Sequence, residues 1–346
     1  MSMQRDKGTI TINDVARMAR VSKKTVSRVI NNSPSVSEKT RLAIKKVIKE
    51  TGFVPNPQAQ ALAFQRSFLI ALVYDNPSPQ YIVNIQRGIL SALKDTRYQL
   101  ILHPCDRSEE NYHDQILSFV QRHNPFGLIF VPSVSEDISL SKKLKEKKCH
   151  FVRIASIDLE DPAHQIKTAD ADGAKLAARH LAELGHKKIA HIHGPELFSS
   201  THERRAGFKA GLEEFGIKLD PRFIYKGDYT FASGAECAAS MLGRKDRPTA
   251  IFAGNDEMAV GIYFTARKMG LRIPEDLSVI GYDDTPIVAR VWPPMTSVHS
   301  PIRDVGYDSA NLLIESDKSG PDDAPPEPQS VTLNLTVRDS TCPPTH

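Results

Sequence analysis

The chain has 346 residues, 40% of them hydrophobic and 25% charged, a length that suits two or three domains and a composition of the soluble globular class. No apolar run approaches the ~18 residues of a membrane span, and the polar opening from Met1 to Gly8 lacks the apolar stretch of a secretory signal. The four cysteines (Cys105, Cys149, Cys237, Cys342) are scattered without metal-type spacing, which disfavours a disulfide framework and points to a reducing cytoplasm.

The net charge of +4 conceals a division. Residues 1–64 hold 12 Lys+Arg against 4 Asp+Glu, a balance of +8, and the remainder balances at −4. A polyanionic partner is therefore expected for the head alone. In that head, Thr11 followed three residues later by Asp14 reads as a capping box. Val15, Ala16, Met18 and Ala19 then supply the apolar face of a short helix. Ser22 caps a second predicted helix, in which Val26, Val29 and Ile30 face inward. A third begins after Ser37, carries Leu42, Ala43, Val47 and Ile48 on its buried side and stops at Gly52. Two short helices joined by a tight turn, with a supporting third, make a helix-turn-helix unit.

The polar positions of the second helix mark it as a reader of DNA. Lys24 and Arg28 share a face and Lys23 sits at its leading edge; in a major groove, Arg makes a bidentate contact with guanine and Lys reaches guanine or phosphate. Ser22, Thr25, Ser27 and Asn31 are short donors suited to phosphate oxygens. Any one of these lysines alone reads better as part of a solvated face; the constellation does not.

The run 12–31, with 36–41 and 52–56 after it, closely resembles the head of the lactose-repressor/galactose-repressor family. The resemblance implies that Lys23, Lys24 and Arg28 read bases, and that residues 56–66 are a hinge helix formed on DNA. There, Asn56 and Ala59 are expected at the DNA and Leu62 matches a leucine that wedges into the minor groove. Such wedges unstack a base step and bend the duplex. The segment is only about two turns long, marginal as an isolated helix, and as a plain linker it would instead pack Leu62 on the body.

From Phe68 onward, short apolar runs alternate with amphipathic stretches. Strands are predicted at 68–74, 98–103, 127–131, 151–155, 188–193, 223–226, 249–253 and 277–281, with helical patterns between most of them. This alternation argues for parallel sheets covered by helices on both faces, and eight strands sit better in two doubly wound subdomains than in one. Ligands of such sheets bind at the carboxyl ends of the strands. The fold class expected is thus an all-α helix-turn-helix head plus an α/β body of two parallel-sheet lobes. The head spans 9–55 and the body 67–337, with lobe 1 at about 67–168 and 299–322 and lobe 2 at about 169–296 and 323–337.

The family resemblance continues through the body, which is similar to a periplasmic sugar-binding protein. Its markers are Leu184-Gly185-His186-Lys187-Lys188-Ile189-Ala190, Arg204-Arg205-Ala206-Gly207-Phe208, Gly254-Asn255-Asp256-Glu257 and Ile280-Gly281-Tyr282-Asp283-Asp284; the run 293–298 looks like the crossing back to the first lobe. It implies that Asp172, Arg204, Asn255 and Asp283 contact an effector, with Tyr229 offering its ring to a sugar. Carboxylates accept from adjacent hydroxyls, Arg donates in a fork and Asn does both. Singly, Asn255 reads equally as a helix cap, Asp283 as a turn residue and Arg204 as the partner of an interdomain carboxylate. In the first lobe the family's Asn-Pro-aromatic-aromatic segment is replaced by Asp75-Asn76-Pro77-Ser78-Pro79-Gln80-Tyr81, so Asp75, Asn76 and Tyr81 are expected to line that side with a chemistry of their own.

His191 and His193 share a strand face without a third metal ligand at recognisable spacing, and no nucleophile elbow, P-loop or dinucleotide fingerprint is present. No cofactor, metal or enzymatic activity is expected. The partners expected are a near-palindromic double-stranded DNA operator, a small carbohydrate-like effector and a second copy of the chain, since the polar end of the chain carries no heptad seam for a tetramer; no membrane is involved. The competing reading, a solute-binding protein, leaves the basic head without a task.

Overall fold

The computed structural model describes residues 10–30, 35–53, 67–316 and 329–345. Asn31, Asn56, Ala59, Leu62, the hinge segment 56–66 and the proline-rich stretch 320–328 lie outside the described residues. The chain divides into two compact units, residues 1–68 and 69–346.

The head comprises α1 (Ile12–Met18), α2 (Lys23–Ile30) and α3 (Glu38–Thr51). Thr11 and Asp14 form the expected capping box, each side chain accepting from the other's backbone N–H. Arg20 adopts a positive φ of 53° in the turn between α1 and α2, and Gly52 ends α3 with φ +63°, the left-handed position glycine occupies without penalty. Val15, Ala16, Val26, Val29 and Ile44 form the core. Two expectations are corrected here. Leu42 is 60% exposed and Ala43 is also exposed, whereas Ile44 is fully buried. The buried stripe runs through Ile44, Val47 and Ile48 at helical spacing, and Leu42 lies about 200° round the helix from Ile44. Met18, expected on the inner face of α1, is likewise exposed.

The second unit contains two six-stranded sheets. In the first lobe the order is β11-β5-β4-β3-β1-β2, from β1 (Leu69–Tyr74), β2 (Gln99–Pro104), β3 (Gly127–Phe130), β4 (Phe151–Ala155), β5 (Gln165–Lys167) and β11 (Gln329–Ser330). All of its pairings are parallel. The strands are apolar on both sides because both faces are covered. Ile70 and Leu72 meet helices α4 (Pro79–Leu93) and α11 (Ile302–Ser316), while Ala71 and Val73 meet α5 (Tyr112–His123) and α6 (Ile138–Glu146).

The second lobe has the order β12-β10-β9-β8-β6-β7, from β6 (Ile189–His193), β7 (Ile224–Lys226), β8 (Ala250–Ala253), β9 (Ser278–Asp283), β10 (Thr296–His299) and β12 (Asn334–Thr336), with β12 alone antiparallel. Helices α7 (Asp170–Glu183) and α8 (Ser199–Glu213) cover one face; α9 (Phe231–Leu242) and α10 (Asp256–Lys268) cover the other.

The chain crosses between lobes three times: after β5, after β10 and between β11 and β12. This revises the expected boundaries. The run 293–298 does not cross but ends inside β10, so the crossing comes at Ser300 and Pro301. The segment 323–337, expected in lobe 2, holds two short strands divided between the lobes, Gln329–Ser330 in the first and Asn334–Thr336 in the second. The end of the chain beyond Val337 also packs on the second lobe. Ser340 is fully buried, its hydroxyl bonding Val279 O at 2.6 Å and accepting from Thr296 N at 2.8 Å. These segments carry too little apolar periodicity to announce themselves; pairing with an existing sheet edge makes them strands.

Helices α7 and α8 touch closely because Gly207 and Gly211 face Ala171, Lys175 and Ala178. A Cβ on Gly207 would lie 2.0 Å from the Ala171 carbonyl oxygen, so Gly207→Ala must separate the helices. Overpacking of this kind costs about 1–3 kcal/mol, more than the ~1 kcal/mol that Ala gains in helix propensity. Gly207→Ala is therefore expected to lower the unfolding free energy in urea titration; unchanged or higher stability would contradict the close contact.

Candidate functional site

In the head, the capping of α2 explains the roles of its short polar residues. Ser22 accepts from Thr25 N at 3.1 Å, and their hydroxyls bond each other at 2.8 Å. Thr25 and Ser27 are half-buried, whereas Lys23, Lys24 and Arg28 are exposed. Among the described residues none of these three cations is paired with a carboxylate. Val26 and Val29, packed inward, fix which face of the helix turns outward. That face carries three uncompensated charges on a rigid rod, the form a major-groove reader takes.

In the body, a cavity of about 50 Å³ opens between the two sheets at the carboxyl ends of the strands. Arg204, from α8, is its centre. Its Nε donates to Asp170 Oδ1 at 2.7 Å, its Nη1 to the Gly254 carbonyl, and its Nη2 stands 3.8 Å from Asp283 Oδ1. The guanidinium lies 3.6 Å above the centroid of the Tyr282 ring. Asn255 caps α10, accepting from Met258 N at 3.0 Å, and donates to Tyr229 O at 2.9 Å. Tyr229 is buried against Gly194 with its hydroxyl 2.8 Å from Thr201 Oγ1. From the first lobe, Asn76 donates to Pro132 O at 3.3 Å and accepts from Ser78 N at 2.9 Å, and Tyr81 lines the same space. Tyr229 and Asp283 both have positive φ, 68° and 103°. Such strain in non-glycine residues concentrates at functional sites.

Six of the eight residues expected at the effector thus line one cavity: Asn76, Tyr81, Arg204, Tyr229, Asn255 and Asp283. Asp172 and Asp75 do not. Asp172 is exposed on α7, and the carboxylate in the cavity is Asp170, two residues earlier. The signal was available. Ala174, Ala177, Ala178 and Leu181 form the buried stripe of α7, and Asp170 sits one turn before Ala174 on that stripe. Asp75 Oδ2 instead accepts from Arg107 N at 3.1 Å and so pins a neighbouring loop. Sequence reasoning also missed Ser78, Thr168, Ser200 and Ser300, small hydroxyls with no pattern of their own. The alternative roles weighed for Arg204 and Asn255 hold alongside the lining role, since Arg204 pairs with Asp170 and Asn255 caps a helix. His191 and His193 are buried in β6, with Nδ1 hydrogen-bonded to Phe252 O and Gly194 O respectively.

The electrostatics follow from burial. Burial, with Asp170 nearby and despite Arg204, pushes Asp283 up to about 7. Burial and Asp283 push Asp256 up to about 8, despite its hydrogen bonds from Ser297 and Thr285. Unfolded carboxyls titrate at ~3.9. A folded value raised above the unfolded one contributes stability that is complete below the unfolded value and lost as pH rises through the folded one. Burial holds His191 down to about 3, so it is neutral throughout the upper range. The melting temperature is therefore expected to fall as pH rises from about 6.5 to 9, and Asp283→Asn should flatten part of that slope. A wild-type profile rising through this interval would refute the assignment.

A family model described as bacterial regulatory proteins, lacI family, matches residues 11–56, and one described as periplasmic binding protein-like domain matches 178–341. Catabolite control protein A of Priestia megaterium is 33% identical over 308 residues, 88% of this chain and 92% of its own. The HTH-type transcriptional regulator DegA of Bacillus subtilis (strain 168) is 33% identical over 338 residues, 96% of this chain and 98% of its own. Among solved structures, the transcriptional regulator CelR–cellobiose complex matches with TM-score 0.72 and 30% identity, and the lac repressor dimer bound to operator and the anti-inducer ONPF with TM-score 0.78 and 28% identity. Each match covers 96% of this chain and 99% of the other. A helical head with an exposed basic rod, joined in sequence to two parallel sheets around a polar cavity, is accounted for by these relatives along nearly its whole length: the chain belongs to the lacI family of bacterial DNA-binding transcriptional regulators.

Proposed function

We propose that the protein is a cytoplasmic repressor that binds a near-palindromic operator as a homodimer, and that a sugar or sugar derivative in the inter-lobe cavity controls its operator affinity. The observation that carries the effector reading is the Arg204 cluster: two carboxylates, a guanidinium, an amide and several hydroxyls converge on one cleft between the lobes, the concave arrangement of a few convergent polar groups that small-molecule sites take. Asp283 and Asn255 offer acceptors and a donor to vicinal hydroxyls, and Tyr229 and Tyr81 offer aromatic surface. A net anionic ligand fits less well, because Arg204 is already engaged by Asp170 and Gly254 O. The cellobiose held by CelR, a relative 30% identical in its solved structure, is a ligand of the proposed class.

On DNA, Lys23, Lys24 and Arg28 would meet base edges, with Ser22, Thr25, Ser27 and Asn31 at phosphates and Leu62 as the minor-groove wedge. Two-fold readers of this type see half-sites about one helical turn apart. Effector binding need change operator affinity by only ~1–3 kcal/mol, or about 5–150-fold.

Two experiments test this. With an operator selected from random DNA, Arg28→Ala is expected to cost about 1–3 kcal/mol of specific affinity and to leave non-specific binding within a few fold; equal loss on both would show that Arg28 is only a phosphate contact. In a thermal-shift panel of mono- and disaccharides, a true effector raises the melting temperature. Arg204→Ala should abolish that shift and retain operator binding, with its own unfolding curve as the control for folding. A panel that moves nothing at high concentration overturns the sugar reading.

A further inference from the structure

Helix α8, which carries Arg204 and Ser200 into the cavity, has an unusual start. Its N-cap residue is Phe198, which makes no side-chain cap hydrogen bond, and its first turn contains no acidic residue. A helix whose first N–H groups lack partners carries a partial positive charge there. The cap comes from the other lobe. Glu136 ends the short 3₁₀ turn Val134–Glu136 that follows β3, and its Oε2 accepts from both Ser199 N at 3.1 Å and Ser199 Oγ at 2.9 Å. Away from the crossovers, this is the pair among the described residues whose side chains hydrogen-bond from one lobe to the other.

We infer that Glu136 is a clasp: its carboxylate, seated on the amino terminus of α8, holds the cleft closed and positions the turn that presents Ser200 and Arg204. Two observations show what closure demands of this residue. Its second oxygen, Oε1, is buried without a partner among the described residues. Burial also pushes its carboxyl above the ordinary value even though Ser199 acts the other way. The closed arrangement thus takes part of a carboxylate out of water and offsets the cost chiefly through Ser199, with Arg107 acting in the same direction. Without those donors, Glu136 is a partly buried charge left with only the attraction of Arg107, and opening of the cleft rehydrates it. The clasp therefore sets how much closure the protein has before any effector arrives.

Ser199→Pro is the discriminating variant. Proline is favoured at the first position of a helix, and Phe198 before it already has extended backbone, φ −97° and ψ 122°, as a residue preceding proline requires. The substitution deletes both donors with the helix intact. The readout is amide hydrogen exchange on the full chain without effector. The first-lobe peptide carrying Glu136 is expected to exchange about tenfold faster in Ser199→Pro, with strand β8 unchanged. In a Glu136→Gln background, which has no charge to rehydrate, the same proline should change it less than about twofold. Acceleration confined to α8, or equal acceleration in both backgrounds, overturns the clasp. Should proline unwind α8, seen as faster exchange through Leu212, Ser199→Ala decides: removal of one donor should accelerate the Glu136 peptide about threefold, and no acceleration counts against the clasp. The inference rests on reading the cavity as the effector site, yet its test uses no effector. A silent sugar panel overturns the effector reading alone, and a failed exchange experiment overturns the clasp alone.

Discussion

The structure of the second unit turns on one buried ion pair, Arg204 with Asp170. Each is nearly removed from water, and an isolated charge in such a place is prohibitively expensive. Together they are tolerable because every direction is used: Arg204 reaches Asp170, Gly254 O and Asp283 and lies flat on Tyr282, while Asp170 also accepts from Thr168 Oγ1 at 2.5 Å. The pair in turn requires α7 and α8 to approach closely, which is what Gly207 and Gly211 permit. The same geometry buries Asp283 beside Asp170 with Arg204 3.8 Å away, and burial raises its carboxyl despite that cation. Helix packing, charge placement and cavity chemistry are therefore one arrangement.

Around that arrangement the two lobes differ in character. The second supplies the charged groups, fixed by ion pairs and helix caps. The first supplies Asn76 and Ser78 from the β1–α4 loop, held by Asn76 to Pro132 O, Tyr81 from the first turn of α4, and Glu136 from the turn after β3. The cavity itself thus has one charged wall and, from Asn76, Ser78 and Tyr81, one of neutral polar groups. Three crossovers join the lobes, and Asp284 anchors the end of β10 before one of them, 3.1 Å from His299 Nδ1, and ties it to β12, 3.1 Å from Thr336 Oγ1. Relative movement of the lobes is then a change at a few backbone segments, the usual form of hinge closure, and a differential affinity of a few kcal/mol between open and closed states is sufficient to use it.

Much of the fold is legible in the sequence. Eight strands are placed to within a residue or two because doubly covered strands are continuous apolar runs, and the basic stripe of α2 because its apolar partners Val26 and Val29 leave no other face for Lys24 and Arg28. Helix α3 is misread through its apolar Leu42: a hydrophobic residue looks buried wherever it occurs, and only the packing partners of Ile44 say which stripe wins. Strands β5, β10, β11 and β12 go unseen or misassigned, being short and polar and existing by virtue of the edges they join.

Local pattern by itself determined the helix-turn-helix head, the alternating α/β body and most of the polar groups at strand ends, since these follow from 3.6- and 2-residue periodicities and from turn chemistry acting over a few residues. What only tertiary structure decided is which groups meet. The apolar stripe of α7 puts Asp170 on the inner face, but its pairing with Arg204 is set by the α7–α8 contact; Asp75 turns to Arg107; Glu136 caps a helix 63 residues distant. Each depends on the positions of two elements far apart in the chain, and electrostatic pairing at ångström range is not encoded in either segment alone.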